Sequence, residues 1–125
     1  MYFSQFIGVD ISKDTLDAAV YPAKDKKMDF LHFDNTQKGL TVMMSWLKRR
    51  GIKTTEMVIC AEHTGVYTNP LIEFADKKGL ALSLNSPLDI KHSMGIARGK
   101  NDAVDAGRIA EYAHSHKDKL RLYEK

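Results

Sequence analysis

Ile7-Gly8-Val9-Asp10-Ile11-Ser12-Lys13-Asp14-Thr15-Leu16-Asp17-Ala18-Ala19-Val20 is the stretch from which the rest of the chain is read. Two period-two runs flank the polar segment 12–15, the pattern of strand, tight turn, strand. The first run holds an acid. An ionised carboxylate in an apolar strand is costly without a partner, and strands disfavour Asp. Residues two apart share a strand face. Gly8 therefore lies beside Asp10 and is expected to leave open space there, while Ile7, Val9 and Ile11 pack the other side. An open face next to a strand carboxylate suits a metal ion and a bulky substrate.

Outward from this hairpin, the first strand is expected over Phe3–Ile11 and the second over Leu16–Tyr21. In the second, Leu16, Ala18 and Val20 alternate with Asp17, Ala19 and Tyr21, a half-buried pattern. A third strand, Lys27–Phe33, follows after a short loop, giving an antiparallel meander. The period then changes. Leu40, Met43, Met44 and Leu47 fall on one helical face, with Asn35 or Thr36 as cap and Gly51 at the close. Met57–Ala61 is an unbroken apolar run, the mark of a strand buried on both faces and parallel to its neighbours. A second helix carries Tyr67, Leu71 and Phe74 as core residues, takes Pro70 in its first turn, and ends at Gly79. Leu80–Leu84 reads as a strand, Lys91–Lys100 as a loop, and Asn101–His114 as a helix with a stripe of Ala103, Ala106, Ala110 and Ala113. The polar tail from Lys117 is expected to leave the domain. The order predicts an α/β fold, a mixed five-stranded sheet with helices on both faces.

The 125 residues suit one domain. With 43% hydrophobic and 28% charged residues the chain can bury a core without a disulfide or a structural zinc. Its single cysteine, Cys60, excludes a disulfide framework and a multi-cysteine zinc site, and fits a reducing compartment. No apolar run approaches the roughly 20 residues of a membrane span, and the N-terminus lacks the pattern of a signal peptide. The expected location is the cytoplasm. The net charge of +3 permits a nucleic-acid partner without demanding one.

Three further acids extend the argument. Glu62 ends the buried run, and ligands of α/β sheets sit outside the carboxyl ends of parallel strands. If the first and fourth strands are parallel neighbours, Asp10 and Glu62 converge. Asp102 and Asp105 open the last helix at i, i+3, on roughly one side of one turn. Taken singly, Asp102 and Asp105 could complement the helix dipole, and Glu62 could be a loop carboxylate. Four carboxylates within about 4 Å would repel by a few kcal/mol per pair at an effective dielectric near 20. Divalent cations or protonation must relieve that. All-oxygen ligands favour Mg2+ or Mn2+, and two such ions can clamp the oxygens of a phosphodiester displacement. Lys13, Arg98 and Lys100 flank the acids and could contact phosphates. Lys48, Arg49 and Arg50 suit a helix C-terminus. The spacing of His114 and His116 is wrong for a metal site with Cys60.

Three segments carry a family resemblance: Gly-Val-Asp-Ile-Ser-Lys-Asp-Thr-Leu-Asp at 8–17, Glu-His-Thr-Gly-Val-Tyr at 62–67, and Lys-Asn-Asp-Ala-Val-Asp-Ala at 100–106. In order and spacing the chain resembles the DEDD transposases of the IS-one-ten (IS110) family, and shares its pattern with the related Piv-type DNA invertases. The resemblance implies a RuvC-like, ribonuclease-H-like domain over residues 1–116, with residues 117–125 leading to a further C-terminal domain. It implies an acidic tetrad of Asp10, Glu62, Asp102 and Asp105 that binds Mg2+ or Mn2+ and catalyses DNA strand cleavage and exchange. It also implies a serine supplied by the second domain, homo-oligomers on DNA, and a structured guide RNA, with the isolated domain inactive. Two rivals stay open: a free-standing RuvC-like nuclease such as a junction resolvase, and a non-catalytic nucleic-acid-binding or dimerisation module.

Overall fold

A computed structural model of the chain describes residues 3–22, 27–86 and 102–124, with side chains of the last helix from Asp105 onward. Strands β1 (Gln5–Ile11), β2 (Thr15–Val20) and β3 (Asp29–Asp34) form the meander. Helix α1 (Gln37–Arg49) follows, then β4 (Met57–Glu62), α2 (Asn69–Lys78), β5 (Ala81–Asn85) and α3 (Asp102–Ser115). The sheet runs β3-β2-β1-β4-β5. β2 is antiparallel to both β1 and β3, whereas β4 is parallel to both β1 and β5. The order puts β1 and β4, the strands bearing Asp10 and Glu62, side by side at its centre.

Each face of the sheet is covered because each presents its own apolar rows. Ile7, Val9, Ile11, Leu16 and Phe33 meet Leu40, Met43 and Leu47 of α1 and Leu71 and Phe74 of α2. Each fully buried side chain of this kind contributes roughly 1.5–3 kcal/mol. Thr36 caps α1 by accepting from the Gly39 N–H at 3.0 Å. Gly79 ends α2 in the left-handed region, at φ 67°, which only glycine adopts at no steric cost. Trp46 is buried on α1, with the Arg50 guanidinium 4.5 Å from its ring centre.

The other face belongs to α3. Ile109, Tyr112 and Ala113 pack on Phe6, Val58 and Cys60, while Ala106 and Ala110 pack on Ala19. The small-residue stripe lets the helix backbone rest on the sheet. A Cβ at Gly8 would lie 2.3 Å from both the Ala106 carbonyl oxygen and the Ala110 nitrogen. The open space expected beside Asp10 at Gly8 is therefore filled: the glycine seats a helix.

That helix also changes the reading of β2. Its outward row is not solvated, because α3 lies over it, and Asp17 is buried at 6% exposure. Tyr67 is not a core residue. Residues Gly65–Thr68 form a separate 3-10 turn before α2, and the ring is 42% exposed. The segment after α3 does not depart at once. Leu120 and Leu122 pack on the α3 cluster, and the Tyr123 N–H donates to the Leu82 carbonyl at 2.7 Å. The expected loop Lys91–Lys100, with Arg98 and Lys100, lies outside the described residues. Among the described residues no helix is long and apolar enough to cross a membrane.

Candidate functional site

The register of the sheet builds the site. Asp17 faces His32 across β2 and β3, and Asp10 faces Asp17 across β1 and β2. The β1–β4 pairing runs from Gln5 opposite Met57 to Val9 opposite Ala61, which brings Asp10 to Glu62 one step further on. Glu62 in turn faces Asn85. The result is one polar row across all five strands: His32, Asp17, Asp10, Glu62, Asn85. It lies on the α3 face, two residues beyond the row of Gly8 and Cys60 on which the helix sits.

Helix α3 runs antiparallel to β1, since its later residues Ile109 to Ala113 meet Phe3 and Phe6 while Ala106 meets Gly8. Two strand residues from Gly8 to Asp10 span about 6.6 Å. Four helical residues from Ala106 back to Asp102 span about 6 Å. The start of the helix thus stands at the level of Asp10, over the carboxyl ends of β1 and β4. Asp105 is half-buried there, as are Asp10 and Glu62; the side chain of Asp102 lies outside the described residues. Acids at this point also complement the helix dipole. Among the described residues, no three His, Cys, Asp or Glu side chains stand as a ready set for a metal ion.

The rest of the row has partners of its own. Asp10 and Asp17 are directly opposed acids, and such pairs destabilise a sheet. Two unit charges about 5.5 Å apart repel by about 3 kcal/mol at an effective dielectric near 20. The His32 Nδ1, 2.9 Å from the Asp17 carboxylate, offsets part of this. At the opposite end, Asn85 Nδ2 donates to Cys60 Sγ at 3.2 Å. Burial pushes the Cys60 thiol up to about 12; the Asn85 contact opposes this and the nearby Glu62 charge adds to it. Cys60 is therefore a neutral packing residue.

Two loops frame the row, and one side chain joins them. Asn35 Nδ2 donates to the Ser12 carbonyl and to the Tyr67 carbonyl, each at 2.9 Å. Its own N–H donates to the Asp14 carbonyl. The loop after Glu62 is closed by Thr68, whose buried hydroxyl accepts from the Thr64 N–H at 2.8 Å. Lys13 is exposed in the β1–β2 turn at the same end of the sheet. His63 is exposed, and its Nδ1 accepts from the Gly65 N–H at 3.2 Å. His114 and His116 lie at the far end of α3, stacked on Tyr21 and Tyr112.

Of the residues singled out in the sequence, Asp10 and Glu62 are brought side by side, with Asp105 and the backbone of Asp102 above them. Asp17, His32 and Asn85 were not singled out. A signal existed for Asp17: the argument that marks an acid in a strand applies to it, and a hairpin turning at 12–15 sets it opposite Asp10. His32 and Asn85 carry no such signal, because their place depends on strand pairing.

Residues 7–125 match the family described as Transposase, the DEDD type of IS110. The chain is 31% identical over 110 residues to the pilin gene-inverting protein of Moraxella bovis. That match covers 86% of this chain and 33% of the relative, so the chain spans about a third of the relative's length. Among solved structures, RuvC of Thermus thermophilus superposes with a TM-score of 0.62 over 96% of this chain and 100% of that one, at 11% identity. The likeness to RuvC is one of fold.

Proposed function

The chain belongs to the IS110 family of DEDD transposases, and from that premise we propose that it is the catalytic domain of a DNA transposase or site-specific recombinase. The observation that carries the reading is the pairing of Asp10 and Glu62 on adjacent parallel strands, beneath a helix that begins with Asp102 and Asp105. These four acids are the proposed catalytic and metal-binding residues. The donor set at the carboxyl ends of β1 and β4 is all oxygen, which suits Mg2+ or Mn2+. Asp10 and Glu62 would hold the ions from the sheet, Asp102 and Asp105 from the helix. Two divalent ions, when bound, supply positive charge to the attacking and leaving oxygens of a phosphodiester. The chain itself contributes rigidity. Asp10 and Glu62 project from neighbouring strands inside the sheet, and Asn35 ties together the loops on either side. Lys13, with Arg98 and Lys100, would contact the phosphate backbone, which positions DNA without reading its sequence.

The finer reading follows the family. The full-length protein would add a second domain bearing a serine, act as a homo-oligomer on DNA in the bacterial or archaeal cytoplasm, and take its sites from a structured guide RNA. DNA inversion, named for the Moraxella bovis relative, is one form of the same strand exchange. The test is Asp10→Ala in the full-length protein. Recombination should be abolished while the domain still folds, as read by circular dichroism; recombination at the wild-type rate would overturn the assignment. Mg2+-dependent cutting of DNA by residues 1–125 alone would move the reading to a free-standing nuclease.

A further inference from the structure

The fold sorts cations as well as carboxylates. β3 and β4 both run with β1, so α1 and α2, each leading from the end of one strand to the start of the next, finish at the amino end of β1. α3 finishes there too, with His114 against Phe6 and Tyr21. That pole lies about 20 Å from the carboxyl end of β1, the length of a seven-residue strand. Lys27, Lys48, Arg49, Arg50 and Lys53 are all exposed at it, with Asp29 and Glu56 as the carboxylates among them. A helix C-terminus carries roughly half a negative charge, which one cation answers. The end of α1 holds three. Asp29 is taken by Arg50, whose Nε and Nη2 each lie 2.9 Å from its carboxylate. Lys48, Arg49 and Lys53 make no ion pair among the described residues. α2 brings Lys77 and Lys78 to the same pole.

The pole is concave. Lys27 and Arg50 line a hollow of about 220 Å³ together with Gln5 and Tyr21, so cations face it from two sides. Arg50 is fixed at its rim by Asp29 and by the Trp46 ring 4.5 Å away. Clustered cations repel one another, and a polyanion laid over them relieves that repulsion. Resting on the reading of the chain as a DNA recombinase domain, we propose that this pole is a second DNA-binding surface, which holds a duplex segment other than the one at the acids. Strand exchange joins two DNA segments, and a straight duplex lying across the carboxyl end does not reach a pole about 20 Å behind it. Duplex DNA carries one charge per about 1.7 Å, dense enough to meet several flexible side chains without a fixed fit. Lys48, Arg49 and Lys53 are the phosphate contacts, and Arg50 shapes the surface between them and Lys27.

The test uses the chain as it stands, a fluorescein-labelled DNA duplex as probe, and Mg2+ in the buffer. Affinity is read by anisotropy across a salt series. Each lost phosphate contact lowers the slope of log affinity against log salt by about 0.9, so the triple variant Lys48→Gln, Arg49→Gln, Lys53→Gln should lower it by up to about 2.7. The charge-preserving triple Lys48→Arg, Arg49→Lys, Lys53→Arg should keep the wild-type slope. All three side chains are exposed, and thermal melting checks that both variants fold. Ultraviolet crosslinking of a bromodeoxyuridine-substituted duplex places the contact: peptides holding residues 48–53 should be tagged. An unchanged slope in the folded glutamine triple, or crosslinks confined to the catalytic end, would overturn the second surface and leave the functional reading standing. Tighter binding of an RNA duplex of the same length, lost in the glutamine triple, would overturn the assignment of this surface to DNA. No DNA binding by the wild-type chain at low salt would overturn the functional reading beneath it.

Discussion

At the scale of single residues, Gly8 and Cys60 show how closely the face beneath the acids is packed. A methyl group at Gly8 would collide with helix backbone, which cannot swing aside as a flexible side chain could. Gly8→Ala should cost roughly 3 kcal/mol or more, at the upper end for overpacking. A wild-type urea midpoint in that variant would contradict the seat of α3 on β1. Cys60 is fully buried beside it, with its thiol pushed up to about 12. The thiolate is the reactive species. Iodoacetamide at pH 8 should therefore modify Cys60 at least about a hundredfold more slowly in the folded chain than in the urea-unfolded chain. Equal rates, read by mass spectrometry, would mean that α3 does not cover β4. The strand acid and the nearby glycine were both legible in the sequence. The use of the glycine was not, since spacing along one strand cannot tell an open face from one that another backbone occupies.

At the scale of elements, the start of α1 divides two tasks between neighbours. Thr36 caps the helix, and Asn35 ties the β1–β2 turn to the segment after Glu62. Thr36→Ala should cost about 1 kcal/mol, the usual value for a lost cap. Asn35→Ala removes two hydrogen bonds from a nearly buried amide and should cost about 1–3 kcal/mol. The two variants differ in where the damage falls. Hydrogen exchange in residues 12–15 and 64–68 should speed up in Asn35→Ala and stay near wild type in Thr36→Ala. Faster exchange in neither would remove Asn35 as the clamp. Either residue could cap a helix on sequence grounds, so the cap was legible as a pair and the clamp was not. Asn35 reaches Tyr67 across 32 residues, and only the crossing of α1 against α2 brings the two together.

At the scale of the whole molecule, the fold gathers acids from β1, β4 and α3, and the charge cost of doing so falls on the metal-free state. Asp10 stands between Asp17 and Glu62 in the row. Neutralising the central member should relieve repulsion. Without divalent metal, Asp10→Asn is expected to be more stable than wild type by about 1–3 kcal/mol. With Mn2+ the order should reverse if the proposed site holds the ion, because an ion that binds only the folded state stabilises it by mass action, and the variant lacks one of the proposed ligands. Melting curves with Mn2+ and with EDTA check both signs. If wild type gains nothing from millimolar Mn2+, the acids do not form a metal site and the non-catalytic module becomes the better reading.

The sequence by itself determined the order of strands and helices, the pair of residues from which the α1 cap comes, the glycine that ends α2, most of the core rows on the α1–α2 face, and the two acids that end up side by side. Those features depend on local periodicity and on the chemistry of residues near one another in the chain. The helix resting directly on Gly8, the burial of Asp17, the anchoring of His32 and the joining of two loops by Asn35 were decided only by the tertiary structure. Each depends on contact between residues from different elements. Strand order and register set which rows align, and the small residues of α3 set how close the helix comes.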